Sequence, residues 1–394
     1  MSRLKFLGIS MLAIVVAAPL LSAPAAAQAG DVVRIGLVSP NTGANARYGA
    51  FAQRGARLAA QEINAAGGVN GKKVEIFVGD SQCVPAEGVS ATKRLIENDK
   101  VAFLIGDICS SVTLAMQPIV EAASVLLVNA ASSNPQITYK AGIGGYKWSF
   151  RNYPTDENRA AIVLKYAAEQ KKFTKYAVLS VDSDYGRGAI AFTKKYLPTF
   201  KSEILSEDYY KDGETDFRPV LAKIRSSGAQ AILMYGLADT TPIIARQMLE
   251  TGLAGKVALV GNAEFNVANT IKAAPSVLNG AVEAAAWLPE YDSALSKQFV
   301  QRYQAAYASE MPNNHAYTHY DTMHLIAAAM KQAGSNEPAA VRDVMPKIKY
   351  ESAVGPTTFD DHNQARLPMI LLEVQEGKPV IKGAYHADIA YPKP

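Results

Sequence analysis

After Gly30 the chain alternates short β-branched runs with amphipathic runs of helical spacing, and it does so twice. That pattern restricts the fold more than any single motif. A strand, a helix and a second strand wind right-handed into a parallel sheet with helices on its faces. In the first set, 32–38 reads as a buried strand, and 49–66 as a helix stopped by Gly67-Gly68. Strand 73–78 ends in Asp80, followed by helix 86–99, strand 101–105, helix 111–123 and strand 125–128. After a further strand at 147–151 the alternation restarts: helix 157–170, strand 176–181, helix 187–196, strand 203–209, helix 217–226, strand 231–235, helix 241–251, strand 257–260. A strand at 281–286 precedes three helices, 293–308, 317–333 and 338–348; strands at 355–359, 368–374 and 380–382 end the chain. The expected fold is α/β, with two doubly wound parallel-sheet lobes, and 394 residues suffice for both.

The first thirty residues read differently. Arg3 and Lys5 precede an apolar run from Leu7 to Leu21, and small residues follow, ending Ala27-Gln28-Ala29. A basic start, an apolar middle and a small-x-small end make a secretory signal peptide, 1–29, with cleavage before Gly30 or after Ala27. The alternative is a permanent membrane anchor, for which the run is short. No cysteine lies near the cleavage site, so lipid attachment is not expected, and the mature protein should be soluble in the periplasm.

Lys and Arg number 40 against 36 Asp and Glu, with no basic block, which argues against a nucleic-acid partner. Cys83 and Cys109 are the only cysteines, too few for a disulfide-dense scaffold or a four-cysteine zinc site. In a reducing compartment they would be buried thiols; in an exported protein a Cys83–Cys109 disulfide is the expectation.

Ligands in open α/β sheets bind at the carboxyl ends of strands, so the loops leaving strands hold the candidates. Ser110 and Ser111 open a helix after a strand; they can cap it or bind a carboxylate. Ser132-Ser133 follows the next strand and converges on the same place. Glu264, just after strand 257–260, can hold an ammonium group or serve as a first-turn acid. Tyr48 and Tyr185 each precede a glycine in a loop, where an aromatic can close over a ligand or simply pack. His315 and His319 are spaced i, i+4, but lack the glutamate of H-E-x-x-H, so no metal is expected. The run Asp182-Ser183-Asp184-Tyr185-Gly186 lacks the downstream glutamate of a calcium loop. No nucleophile has an evident base, no cofactor is implied, and Gly142–Gly145 reads as a turn.

Taken together, Arg34–Leu37, Tyr48-Gly49, the run Glu62–Lys72, Gly106–Ser110, Ala130–Pro135, Tyr185-Gly186 and Gly355-Pro356 resemble the periplasmic branched-chain amino-acid-binding proteins of ABC transporters. The likeness covers nearly all of residues 31–385. It implies the type I periplasmic-binding fold: two lobes joined by three crossovers, near Asn152, Ala286 and Ser352, closing on a ligand. One lobe would comprise 30–151 plus 286–352, the other 152–285 plus 353–394. The same resemblance makes Ser110 a carboxylate contact and puts Ser133 beside it. It has the carbonyl of Ala131 and the carboxylate of Glu264 hold the ammonium, with Tyr48 and Tyr185 flanking the ligand. Two departures touch selectivity. A tyrosine of leucine-type binders falls on Ala238, beside Asp239, and an apolar aromatic of the side-chain pocket falls on His315. Both make the pocket roomier or more polar.

The function these readings imply is a solute-binding receptor of an ABC importer, with an inner-membrane permease as partner and no chemistry on the ligand. The ligand would be an amino acid or related small polar compound. An exported sensor for a membrane partner is the alternative, as is a binder of an aromatic acid or amide. An enzyme would need a nucleophile–base pair, for which His315 with Ser110 is the one candidate. A DNA-binding repressor of the same architecture would need a helix-turn-helix where this chain has its signal peptide.

Overall fold

The computed structural model describes residues 32–237, 239–386 and 389–391. The expected signal peptide lies outside them, as does Ala238. Among the described residues, strands β1 (Val33–Ser39), β2 (Val74–Asp80), β3 (Phe103–Ile105), β4 (Leu126–Asn129) and β5 (Ser149–Arg151) form one parallel sheet in the order β2-β1-β3-β4-β5. The second sheet begins with β6 (Lys175–Val181), β7 (Glu203–Tyr210), β8 (Ala231–Tyr235), β9 (Ala258–Asn262) and β10 (Val282–Ala285). A small antiparallel hairpin of β11 (Tyr350–Ser352) and β12 (Gly355–Thr357) follows, and then β13 (Met369–Gln375) and β14 (Lys378–Tyr385). The second sheet runs β14-β13-β10-β9-β8-β6-β7, parallel except where β13 and β14 join antiparallel. Strands β3, β4, β8 and β10 are buried along their whole length, as sheets covered on both faces require.

The chain leaves the first sheet after Arg151 and does not return to it as a strand. It returns as a helix. Asn314–Ala333 packs against Ala46–Ala65, and the two backbones meet where Gly55 faces Ala316. A Cβ on Gly55 would overlap the carbonyl oxygen of Ala316, backbone that cannot move aside as a side chain can. Gly55→Ala is therefore expected to lower the unfolding free energy by about 1–2 kcal/mol, the scale of overpacking a close contact. Chemical denaturation measures it, and an unchanged midpoint would show that the two helices can spread without cost.

The disulfide is present: Cys83 and Cys109 are bonded, with their Cα atoms 5.5 Å apart. Several boundaries shift relative to the sequence expectations. Tyr48 lies in the first turns of helix Ala46–Ala65, and Tyr185 is the second residue of helix Asp184–Tyr196, not in a loop. His315 likewise sits within helix Asn314–Ala333, which begins three residues before the expected start. For the helices of Tyr185 and His315 a capping side chain just upstream begins the helix before the apolar periodicity shows. Asn313 Oδ1 accepts the N–H of Ala316 at 3.0 Å, and Ser183 Oγ that of Gly186 at 3.3 Å. Short helices Gln136–Tyr139, Ala268–Ala273 and Pro275–Leu278 escaped the periodicity because they are too brief to show one. No helix among the described residues is long and apolar enough to cross a membrane.

Candidate functional site

Loops and helix starts at the carboxyl ends of both sheets meet around a cleft of about 610 Å³, counted with the solvent at its mouth. Its acidic centre is Glu264. The residue follows β9 in a left-handed backbone conformation (φ 55°), so it is not the first-turn acid of a helix. Its loop is held by a carboxylate that sequence reasoning missed. Glu283, 1% exposed on β10, accepts the N–H of Glu264 (2.9 Å) on one oxygen and that of Asn266 (3.2 Å) on the other. Asn262 Nδ2 adds a third bond at 3.1 Å. Burial pushes the Glu264 carboxyl up to about 8, against the attraction of Arg47 and with further repulsion from Glu283 and Asp239. Burial likewise holds Glu283 at about 7 despite its amide donors. A buried acid of this kind binds its proton until a cation replaces it.

Two aromatic side chains close the walls. Tyr48 is buried, and its ring meets that of His315 edge-on at 4.5 Å. Tyr185 donates its hydroxyl to Asn262, with the backbone oxygen at 3.0 Å and Oδ1 at 2.9 Å. His315 Nε2 lies 3.7 Å from Glu264 Oε1. Desolvation depresses the imidazole to about 3, so it is neutral, and its buried Nδ1 has no hydrogen-bond partner. His319 points elsewhere: its Nδ1 meets the carbonyl of His315 at 2.8 Å within the helix. Among the described residues no three of His, Cys, Asp and Glu are grouped to hold a metal.

The opposite wall carries Ala131 and Ser133. Ser133 donates its hydroxyl to Asp156 Oδ2 at 2.9 Å, and Asp156 in turn accepts from Arg159 Nη1. Thr155 caps the helix bearing both, accepting the N–H of Asn158 at 3.2 Å. The ion pair is wholly buried, with side chains 1% and 0% exposed, and Arg159 lines the cleft.

The structure thus brings Tyr48, Ala131, Ser133, Tyr185, Glu264 and His315 around one cleft, from five separate stretches of chain. Two expected residues stand apart. Ser110 is buried beside the wall and does not line it; its Oγ accepts the N–H of Asn134 at 3.3 Å, and Ile108 takes the lining position. Asp239 is 58% exposed and pairs loosely with Arg47 at 3.9 Å, outside the lining.

The sequence profile of the periplasmic binding proteins matches residues 32–379. The chain belongs to that family. Like it, an amino acid binding protein of Pseudomonas aeruginosa is 29% identical over 357 residues, spanning 90% of this chain and 92% of its own. A Leu/Ile/Val-binding protein homolog of Brucella suis is 29% identical over 337 residues, 85% of this chain and 88% of its own. A solved branched-chain amino acid transporter substrate-binding protein of Streptococcus pneumoniae, in complex with isoleucine, superposes with a TM-score of 0.80. It is 27% identical and covers 91% of this chain and 99% of its own. A Rhodopseudomonas palustris solute-binding protein in complex with benzoate has a TM-score of 0.82 at 20% identity, covering 92% and 99%, a likeness of fold. This periplasmic binding protein has the cleft where open α/β sheets place ligands. Sequence reasoning missed Arg159, Glu283 and Tyr153 in it. The one available signal was Glu283, a lone charge inside an otherwise apolar strand.

Proposed function

We propose that the chain is the solute-binding receptor of an ABC importer, enclosing an α-amino acid in this cleft and presenting it to an inner-membrane permease. The carrying observation is Glu264, a largely desolvated carboxyl on the cleft, with the carbonyl-bearing Ala131 and with Ser133 lining the same cleft. An ammonium group ionises Glu264 and supplies the charge partner that burial denies it. Glu264 and the carbonyl of Ala131 hold the ammonium, and Tyr48 and Tyr185 flank the carbon beside it; Ser133, whose proton goes to Asp156, stands by as an acceptor. The names of the Pseudomonas and Brucella relatives and the bound isoleucine of the Streptococcus protein support an amino-acid ligand.

Residues 30–151 with 286–352 form one lobe in this reading, and 152–285 with 353–394 the other. In this reading the lobes are closed on each other. Asn45 Nδ2 donates to Asp212 Oδ2 at 2.5 Å, and Asn134 Nδ2 to the carbonyl of Asp184 at 2.6 Å, each joining the first sheet's loops to the second's. Closure driven by ligand contacts is how such a receptor signals occupancy.

A thermal-shift screen of the chain from residue 30 against amino acids, aromatic acids and amides tests the reading. An amino acid at about 100 times its Kd stabilises by about 2.7 kcal/mol. Shifts with aromatic acids alone would overturn the amino-acid assignment. Position 315 sets selectivity: removing its polar edge with His315→Phe is expected to raise leucine and valine about tenfold relative to glutamine. Competition binding on both proteins reads the ratio, and an unchanged rank order would remove His315 from the side-chain pocket.

A further inference from the structure

Arg159 carries more hydrogen-bonding capacity than the protein uses. Its side chain is 1% exposed. Its Nε donates to the carbonyl of Ala284 at 3.1 Å, its Nη1 to Asp156, and its Nη2 to nothing among the described residues. The phenol oxygen of Tyr153, which accepts from Asn314 Nδ2 at 3.0 Å, also lies near the guanidinium, without closing a well-aligned bond to Nη2. A buried guanidinium nitrogen without an acceptor is costly, and this one belongs to a residue on the wall of the cleft. His315 presents the complementary vacancy on the same cleft, a buried Nδ1 without a partner. Both side chains line the same cleft.

We propose that Arg159 Nη2 and His315 Nδ1 form a side-chain subsite for a neutral carboxamide, so that the solute is an amide-bearing amino acid of the glutamine or asparagine type. The assignment rests on the amino-acid reading above and follows from donor and acceptor counting. Arg159 offers only N–H donors and needs an oxygen. With Glu264 ionised by the ligand's ammonium, the His315 proton sits on Nε2, facing that carboxylate at 3.7 Å. Nδ1 is then an acceptor and needs an N–H. A carboxamide supplies both, C=O to Arg159 and NH2 to His315. A carboxylate supplies only acceptors, and its charge finds no cation to spare, because Asp156 already neutralises Arg159 and Glu264 and Glu283 are acidic. An aliphatic side chain satisfies neither group.

Isosteric ligands separate these cases on the unaltered protein. By calorimetry, asparagine is expected to bind at least roughly tenfold more tightly than leucine, and glutamine than methionine. Aspartate and glutamate are expected to be weaker than their amides. Arg159→Met would strand Asp156 and can fail to fold, so it is paired with Asp156→Asn. The double variant is expected to lose the amide advantage by roughly tenfold while leucine affinity moves less than about threefold. Leucine equal to or above asparagine overturns the subsite and leaves the amino-acid reading standing. Aspartate above asparagine overturns the neutral-amide assignment. Equal weakening of every ligand in the double variant makes Arg159 structural and overturns its role as a contact. No binding by any amino acid overturns the reading itself, and the subsite with it.

Discussion

Replacing both cysteines, Cys83→Ser with Cys109→Ser, is expected to remove about 3–4 kcal/mol of stability. The bridge spans a sequence separation of 26, and the entropy of closing a loop of that length in the unfolded chain is of this size. Its Cα separation of 5.5 Å lies in the middle of the range that bridged cysteines adopt. The position gives the effect a functional side. Cys109 is the residue before helix Ser110–Ala123 and stands next to Ile108 of the cleft wall, while Cys83 lies in the loop that follows β2. The bridge therefore ties the loop after β2 to the loop after β3. Guanidinium denaturation of the oxidised protein and of the double variant measures the loss. Coincident curves would show that the unfolded chain is restrained by other means. Alkylation of unreduced periplasmic protein, read by mass, is expected to label neither cysteine.

The second large effect is on ligand affinity and on its pH dependence. Glu264→Gln is expected to weaken binding by about 1.5–3 kcal/mol, the range for a hydrogen bond to a charged group. The sign of the pH effect follows from the raised carboxyl. With an unfolded value near 4.5 and a folded value near 8, Glu264 is protonated in the empty cleft at pH 7. Any stability from the raised value is fully present below the unfolded value and is lost as pH rises through about 8. Ligand binding runs the other way. An ammonium demands the carboxylate, so binding near pH 7 releases a proton, and affinity rises between about pH 6 and 8 by up to tenfold per pH unit. Glu283 anchors the same loop and is held at about 7 by burial; Arg47 and Asp239 act from the rim, and His315 stays neutral throughout. Calorimetry in buffers of different ionisation heat counts the protons. In Glu264→Gln the count is expected to fall and the affinity slope to flatten. An unchanged affinity and slope would mean that Glu264 does not hold an ammonium.

The parallel sheets and the loops that carry part of the cleft were legible in the sequence for one physical reason: each is announced locally. A β-branched run, a helical stripe of apolar residues and a glycine stop are properties of a few consecutive residues. The loop after a strand is a ligand position whatever the rest of the chain does. Tyr48, Ser133, Tyr185 and Glu264 were identifiable on that ground together with the family resemblance. What local pattern could not tell was where a side chain points. Ser110 opens the helix at the expected place, yet its hydroxyl serves the backbone of Asn134, and Asp239 stays in solvent.

The residues that only the tertiary structure disclosed are buried charges. In Asp156-Glu157-Asn158-Arg159 the charges are what a solvated first helical turn looks like, and nothing in the sequence distinguishes them from one. The second sheet covers that turn: the carbonyl of Ala284, far along the chain, accepts from Arg159 Nε, and the pair with Asp156 is sealed from water. Glu283 becomes the anchor of the Glu264 loop only because β10 lies beside β9. Strand order and desolvation depend on contacts between segments remote in sequence. The chain therefore determined by itself what its elements are and which loops could bind, while long-range packing decided which polar groups lie in the cleft and which of those lack a partner.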